Sequence, residues 1–136
     1  ILSEKNIKKK TIFVIEASSY QLDYSKLFKS NISAILNISP DHLERHKTLS
    51  KYIKAKFKLI KSQNKKDFAI LNTNNFHINE QLKKKIFLPK IIRVDGKVSH
   101  SILKKINNPY FMTKGNKENL SFIFEIAKIF KIKKKI

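Results

Sequence analysis

Short apolar runs alternate with stretches of helical periodicity along this chain, and that alternation leaves few architectures open. Residues 11–15 (Thr-Ile-Phe-Val-Ile) are β-branched and aromatic after a charged lead-in, and the run ends at Glu16. It reads as a strand buried on both faces. A second strand is predicted over residues 32–37, stopped by Ser39-Pro40 because proline cannot continue a central ladder. Residues 68–71 and 91–94 supply two more, closed by the Asn72-Thr73-Asn74-Asn75 turn and by Asp95-Gly96.

Between them lie the helical segments. Residues 18–28 form a short helical or irregular crossover, with Leu22 and Leu27 as its apolar contacts. Thr48 caps a helix over residues 49–61, whose inward face is Tyr52, Ile53, Ala55, Phe57, Leu59 and Ile60. Residues 79–85 form a weak helix, and residues 98–106 fit either state. A last helix is predicted over residues 116–130, with Leu120, Ile123, Phe124, Ala127 and Phe130 as its apolar stripe. Strands alternating with helices imply an α/β fold with a mostly parallel sheet flanked by helices. At 136 residues there is room for one domain. Internal repeats and Gly/Ser/Pro-rich linkers are absent from the sequence.

Composition removes several function classes. With no cysteine, disulfides and thiolate metal sites are excluded. The apolar runs are too short to cross a bilayer, and no signal peptide opens the chain, so a cytoplasmic protein is expected. Hydrophobic content of 41% rules out wholesale disorder despite a formal net charge of +20. A charge of that size attracts polyanions. Yet Arg45 and Arg93 are the only arginines, and arginine is the residue that reads bases through a bidentate fork. Lysine is accompanied by abundant isoleucine and asparagine, the trio that A/T-rich codons over-supply, and the lysines read as scattered over surfaces. The charge is therefore taken as background, with neither nucleic acid nor membrane as partner. A lysine-rich nucleic-acid-binding domain is the rival from another class.

In open α/β sheets, ligands collect at the carboxyl ends of strands, and two polar clusters follow predicted strands here. Glu16, followed by Ala17-Ser18-Ser19-Tyr20-Gln21-Leu22, can hold Mg²⁺ as a hard oxygen donor or can cap the next helix. Asn37-Ile38-Ser39-Pro40-Asp41-His42-Leu43-Glu44-Arg45-His46 offers an Asp-His pair fixed by proline; His42 there ligates a metal, orients a phosphate or serves as a structural hydrogen bonder. His46, His77 and His100 read as structural. Lys56 lies four residues after Tyr52 on an otherwise apolar helical face. An amine drawn toward such a face loses hydration of its charge, which favours the neutral form that reacts with CO₂.

Taken together, Glu-x-Ser-Ser-[aromatic]-Gln-Leu, Asn-x-x-Pro-Asp-His-Leu-x-Arg-His and Tyr-x-x-Ala-Lys, in this order, resemble the central ATPase domain of the Mur ligases. The Ser-Ser-Tyr-Gln-Leu-Asp stretch looks most like the D-glutamate-adding branch. It argues against the folylpolyglutamate-forming type of the same superfamily. Likeness is strong over residues 11–71 and returns at Gly115-Asn116-Lys117-Glu118-Asn119, similar to the family's His-Asn-x-x-Asn motif. The resemblance implies a partial P-loop-NTPase-like (Rossmann-like) fold and an ATP- and Mg²⁺-dependent ligase. It implies UDP-N-acetylmuramoyl-L-alanine and D-glutamate as substrates, an acyl-phosphate intermediate and a monomeric complete enzyme.

Residue by residue, Glu16 and His42 match metal-holding positions, and Lys56 matches the lysine that becomes a carbamate ligand. Ser18 and Gln21 match positions near the muramoyl substrate; Asn116 and Asn119 match asparagines at the nucleotide. Four positions depart from the pattern: Gly115 stands for a histidine, Glu44 for an aspartate, and Asn74-Asn75 for an acidic pair. The family's Gly-x-x-x-x-Gly-Lys-[Ser/Thr] loop cannot lie in a chain whose only glycines are Gly96 and Gly115. It is expected ahead of Ile1. The chain thus reads as a partial central domain, truncated at both ends and inactive alone, without the family's N-terminal UDP-binding and C-terminal amino-acid-binding domains.

Overall fold

A computed structural model describes residues 7–106 and 108–132. In chain order it contains α1 (Ser19–Tyr24), β1 (Ile32–Ile35), α2 (Leu43–His46), α3 (Leu49–Lys61), β2 (Phe68–Asn72), α4 (Phe76–Lys84), β3 (Lys90–Val94) and α5 (His100–Leu103). A 3-10 turn (Pro109–Met112) and α6 (Lys114–Ile129) complete it. The strands form one parallel sheet in the order β1-β2-β3, with Ile35 opposite Leu71 and Asn72 opposite Val94. The α/β expectation holds.

Period-two alternation in β2 divides the core between two faces. Ala69 and Leu71 join Ile35, Ile38, Tyr52, Phe57, Ile60 and Ile78 on the side covered by α3 and α4. Ile70 points the other way, into a cluster with Val94 and Phe122 flanked by Ile126 and Ile129 of α6. Burying each such aliphatic side chain is worth about 1.5–3 kcal/mol. Right-handed crossovers put both connecting helices on one face, and α6 covers the other. Among the described residues no helix is long and apolar enough to cross a membrane.

Two expectations fail. Residues 11–15 form no strand and lie exposed, Val14 at 95%. Among the described residues the sheet ends at β1, so this run has no ladder to join, and β propensity without a neighbour is insufficient. The stripe foreseen for α6 holds only in part: Leu120 is buried, but Ile123 and Phe130 are 51% and 41% exposed, while Phe122, outside the stripe, is buried. Apolar residues occur all round α6, so periodicity could not choose the face. Contact with Ile70 and Val94 chooses Phe122, Ile126 and Ile129. Smaller differences concern Leu27, exposed rather than packed, and α4, which starts at Phe76 because Asn75 caps it.

Candidate functional site

The carboxyl ends of the three strands carry most of the polar machinery. After β1 the chain runs through Asn37 and the buried Ile38 to Pro40, then turns into α2. His42 is the N-cap of α2 with φ 55°, a left-handed conformation that a side-chain-bearing residue adopts at a cost. Asp41 supports the turn: Oδ1 accepts the His42 backbone N–H at 2.8 Å, and Oδ2 lies 3.4 Å from His42 Nε2. Glu44 Oε1 is 3.9 Å from His42 Nδ1 and accepts the Tyr20 hydroxyl at 3.1 Å.

Lys56 reaches the same loop from α3. Its Nζ donates to the Asn37 carbonyl at 3.2 Å and sits 5.1 Å from the centre of the Tyr52 ring. The His42 ring is 6.3 Å from that ring on its edge. His42 and Lys56 therefore flank one buried tyrosine. The placement follows from helical phase: Lys51, Lys54, Lys58 and Lys61 succeed one another at three- and four-residue steps along the outer face, and Lys56 is out of step with them. It falls among Tyr52, Ile60 and the sheet.

Against this pair, Glu16 is exposed two residues ahead of the α1 cap, and no hydrogen bond or ion pair joins it to His42 or Lys56. The carboxylates closest to His42 are Asp41 and Glu44. Among the described residues no three His, Asp or Glu side chains gather as an unmodified metal site. Ser18 and Gln21 engage each other in a capping box: Ser18 Oγ accepts the Gln21 N–H at 3.2 Å, and Gln21 Oε1 accepts the Ser18 N–H at 2.8 Å.

Asn116 and Asn119 lie in the first turns of α6, across the sheet from α3. Asn116 Nδ2 donates to the Tyr110 carbonyl at 2.6 Å, tying the 3-10 turn to the helix, and Asn119 is exposed. Gly96, with φ +71°, brings the turn after β3 against the same helix: a Cβ there would meet Glu118 Cγ at 2.7 Å. The turn after β2 links both neighbours. Asn75 Nδ2 donates to the Ile38 carbonyl at 2.9 Å while its Oδ1 accepts the Ile78 N–H, and Asn74 Nδ2 donates to the Asp95 carbonyl. The amides that stand for an acidic pair thus work as donors, which carboxylates could not do.

Sequence reasoning missed an aromatic stack beside His42. The His46 ring stacks on Tyr20 at 5.1 Å and 18°, and its buried Nε2 lies 3.0 Å from Ser19 Oγ. The Arg45 guanidinium covers Tyr20 at 4.4 Å and Tyr24 at 5.4 Å. Desolvation, then the hydrogen bond to Glu44, raises the Tyr20 hydroxyl above the usual tyrosine range. The four-residue step from His42 to His46 was the available signal; the partners are 27 residues away in the chain for Ser19 and could not be read locally.

Comparison with known proteins supplies the last observation. The model of the Mur ligase middle domain matches residues 1–132. A protein of Alkaliphilus oremlandii named UDP-N-acetylmuramoylalanine–D-glutamate ligase is 44% identical over 80 residues, 59% of this chain and 17% of its own length. A protein of the same name from Rickettsia bellii is 31% identical over 137 aligned positions, 86% of this chain and 30% of its own. One from Thermosipho africanus is 49% identical over 71 residues, 52% of this chain and 17% of its own. The chain therefore spans less than a third of the relatives it matches.

Proposed function

The chain belongs to the Mur ligase middle-domain family, and on that premise we propose that it is the central, ATP-handling part of a ligase joining D-glutamate to UDP-N-acetylmuramoyl-L-alanine in peptidoglycan synthesis. The names of its relatives and the Ser-Ser-Tyr-Gln-Leu-Asp stretch support the substrate pair. The observation that carries the reading is Lys56. Of the α3 lysines it is the one that hydrogen-bonds the loop after β1, and His42 packs against the same Tyr52 ring.

In this reading the Lys56 amine adds to CO₂ and releases one proton, giving a carbamate whose oxygens replace a carboxylate. With His42 and Glu16, that donor set fits a hard divalent ion. Glu16 is exposed on a segment outside the sheet, and Asp41 stands beside His42. Magnesium, when bound, neutralises charge so that the γ-phosphate of ATP and the substrate carboxylate can approach. Phosphoryl transfer gives an acyl phosphate; the D-glutamate amine attacks it, and phosphate leaves. Ser18 and Gln21 would contact the muramoyl substrate at the start of α1, and Asn116 and Asn119 the nucleotide at the start of α6. The isolated chain, with no glycine-rich phosphate loop in its sequence, is inactive by itself.

Two measurements test this. The chain in ¹³C-bicarbonate is expected to show one carbamate carbonyl resonance that disappears in Lys56→Arg; no such resonance in the unsubstituted chain overturns the assigned role of Lys56. A chimera carrying residues 16–61 in the Alkaliphilus oremlandii relative is expected to keep D-glutamate-dependent phosphate release and to lose about 10²–10³-fold on Lys56→Ala, the range for removing one preorganised charge-stabilising group. Preference of the chimera for another amino acid would sink the substrate assignment.

A further inference from the structure

A second cluster of lysines lies in the groove between α3 and α4, on the side of α3 away from the chemistry above. Lys54 and Lys61 project from one wall and Lys85 from the end of the other, above a floor that includes Ile53 and Phe57, with Gln81 beside them. The cavity measures about 490 Å³. No carboxylate lines it, and none of the three ammonium groups has an ion-pair partner among the described residues. Nearby lysines do differ: Lys83 and Lys84 both pair with Glu80, at 3.2 and 3.1 Å, and Lys58 pairs with Asp23 at 3.8 Å. The groove thus gathers three unpaired ammonium groups from two helices over one apolar floor.

Bringing like charges together over an apolar floor costs energy unless an anion sits between them. The cost is visible at Lys61, whose ammonium is held below the usual lysine range by desolvation and by repulsion from Lys85 and Lys54. We propose that the α3–α4 groove is a binding site for a compact multivalent anion of the oligophosphate class, held by Lys54, Lys61 and Lys85. The floor keeps water from one side of the ligand, which strengthens each charge interaction. Gln81 adds a side-chain amide able to donate to a phosphate oxygen. The site is independent of the ligase reading, since Lys56 and His42 line no part of it.

The test uses the 136-residue chain and sodium tripolyphosphate as probe, with isothermal calorimetry and NMR of the lysine side chains at about physiological ionic strength. Saturable one-to-one binding is expected, with the Lys61 titration moving toward the ordinary lysine range as the probe fills the site. The double variant Lys54→Gln/Lys61→Gln is expected to weaken binding about tenfold or more, while Lys104→Gln/Lys105→Gln, which removes the same charge from another surface, changes it less than about twofold. Equal losses in both variants would show diffuse attraction to a basic protein and overturn the proposal. So would an unmoved Lys61 signal, or binding that never saturates. Orthophosphate binding as tightly as tripolyphosphate would also overturn it, because three converging cations then have no role.

Discussion

At the amino ends of β1 and β2, a closed polar network joins three elements. Buried Gln63 donates to the carbonyls of Ser30 and Phe68 at 3.1 and 2.9 Å and accepts the Ser33 hydroxyl at 3.0 Å. Asp67, buried beside it, accepts the Asn64 N–H at 2.8 Å and pairs with Lys29 at 3.5 Å. The carboxyl ends of the same strands are different. There His42 holds a left-handed backbone, Lys56 rests on a loop carbonyl, and the side chains of Asp41, His42 and Glu44 face solvent. Polar groups are buried and matched at the first end, whereas Asp41, His42 and Glu44 at the second are exposed and bonded only to near neighbours. One end holds the sheet together; the other carries the groups to which the proposed chemistry is assigned.

That contrast predicts opposite responses to substitution. The largest effect belongs to Gln63→Ala, which strands a buried hydroxyl and two carbonyls. It is expected to lower unfolding stability by about 2–4 kcal/mol, read as a shift of the urea midpoint, without altering carbamate formation at Lys56. A neutral urea response would erase the distinction between the ends.

Next is Asp67→Asn, at about 1.5–3 kcal/mol near neutral pH for loss of a charge-assisted hydrogen bond. The Asn64 N–H, then Lys29 and Asn31, hold the Asp67 carboxyl below the usual carboxylate range, with burial opposing. A carboxyl lowered in the folded state stabilises above its unfolded value of about 3.9 and loses that contribution as pH falls through its folded value. The stability of the unsubstituted chain should therefore fall on acidification below about pH 4, and the gap to Asp67→Asn should narrow over the same range. An unchanging gap would remove Asp67 from the acid response.

The smallest effect has the opposite sign. His42→Gly relieves the left-handed backbone and is expected to leave stability unchanged or raise it by up to about 1 kcal/mol, while the chimera described above loses ligase activity. A loss of stability would place His42 with the structural end of the sheet.

How far these features could be read from sequence depends on whether a local pattern or a distant contact determines them. Helix α3 was legible to the residue, because Thr48 caps it and its apolar face has a single phase. The place of Lys56 on the face shared with Tyr52 was legible for the same reason, while its candidate role came from the Tyr-x-x-Ala-Lys motif. The strand at residues 11–15 was not, since its fate depends on a ladder partner rather than on its own side chains. The face of α6 was undetermined for a helix that is apolar on both sides. The stack of Tyr20, His46 and Arg45 joins residues from α1 and α2, and nothing in either segment names the other. Glu16, assigned from the motif, carries no structural partner that would have fixed it.

Adjacent carbonyls of the loop after β1 are gripped from separate helices: that of Asn37 by Lys56 of α3, and that of Ile38 by Asn75 at the start of α4. The peptide between them cannot rotate without breaking one grip. A substitution at position 75 would therefore be felt at the Lys56 amine through this loop, although the two side chains hold different carbonyls.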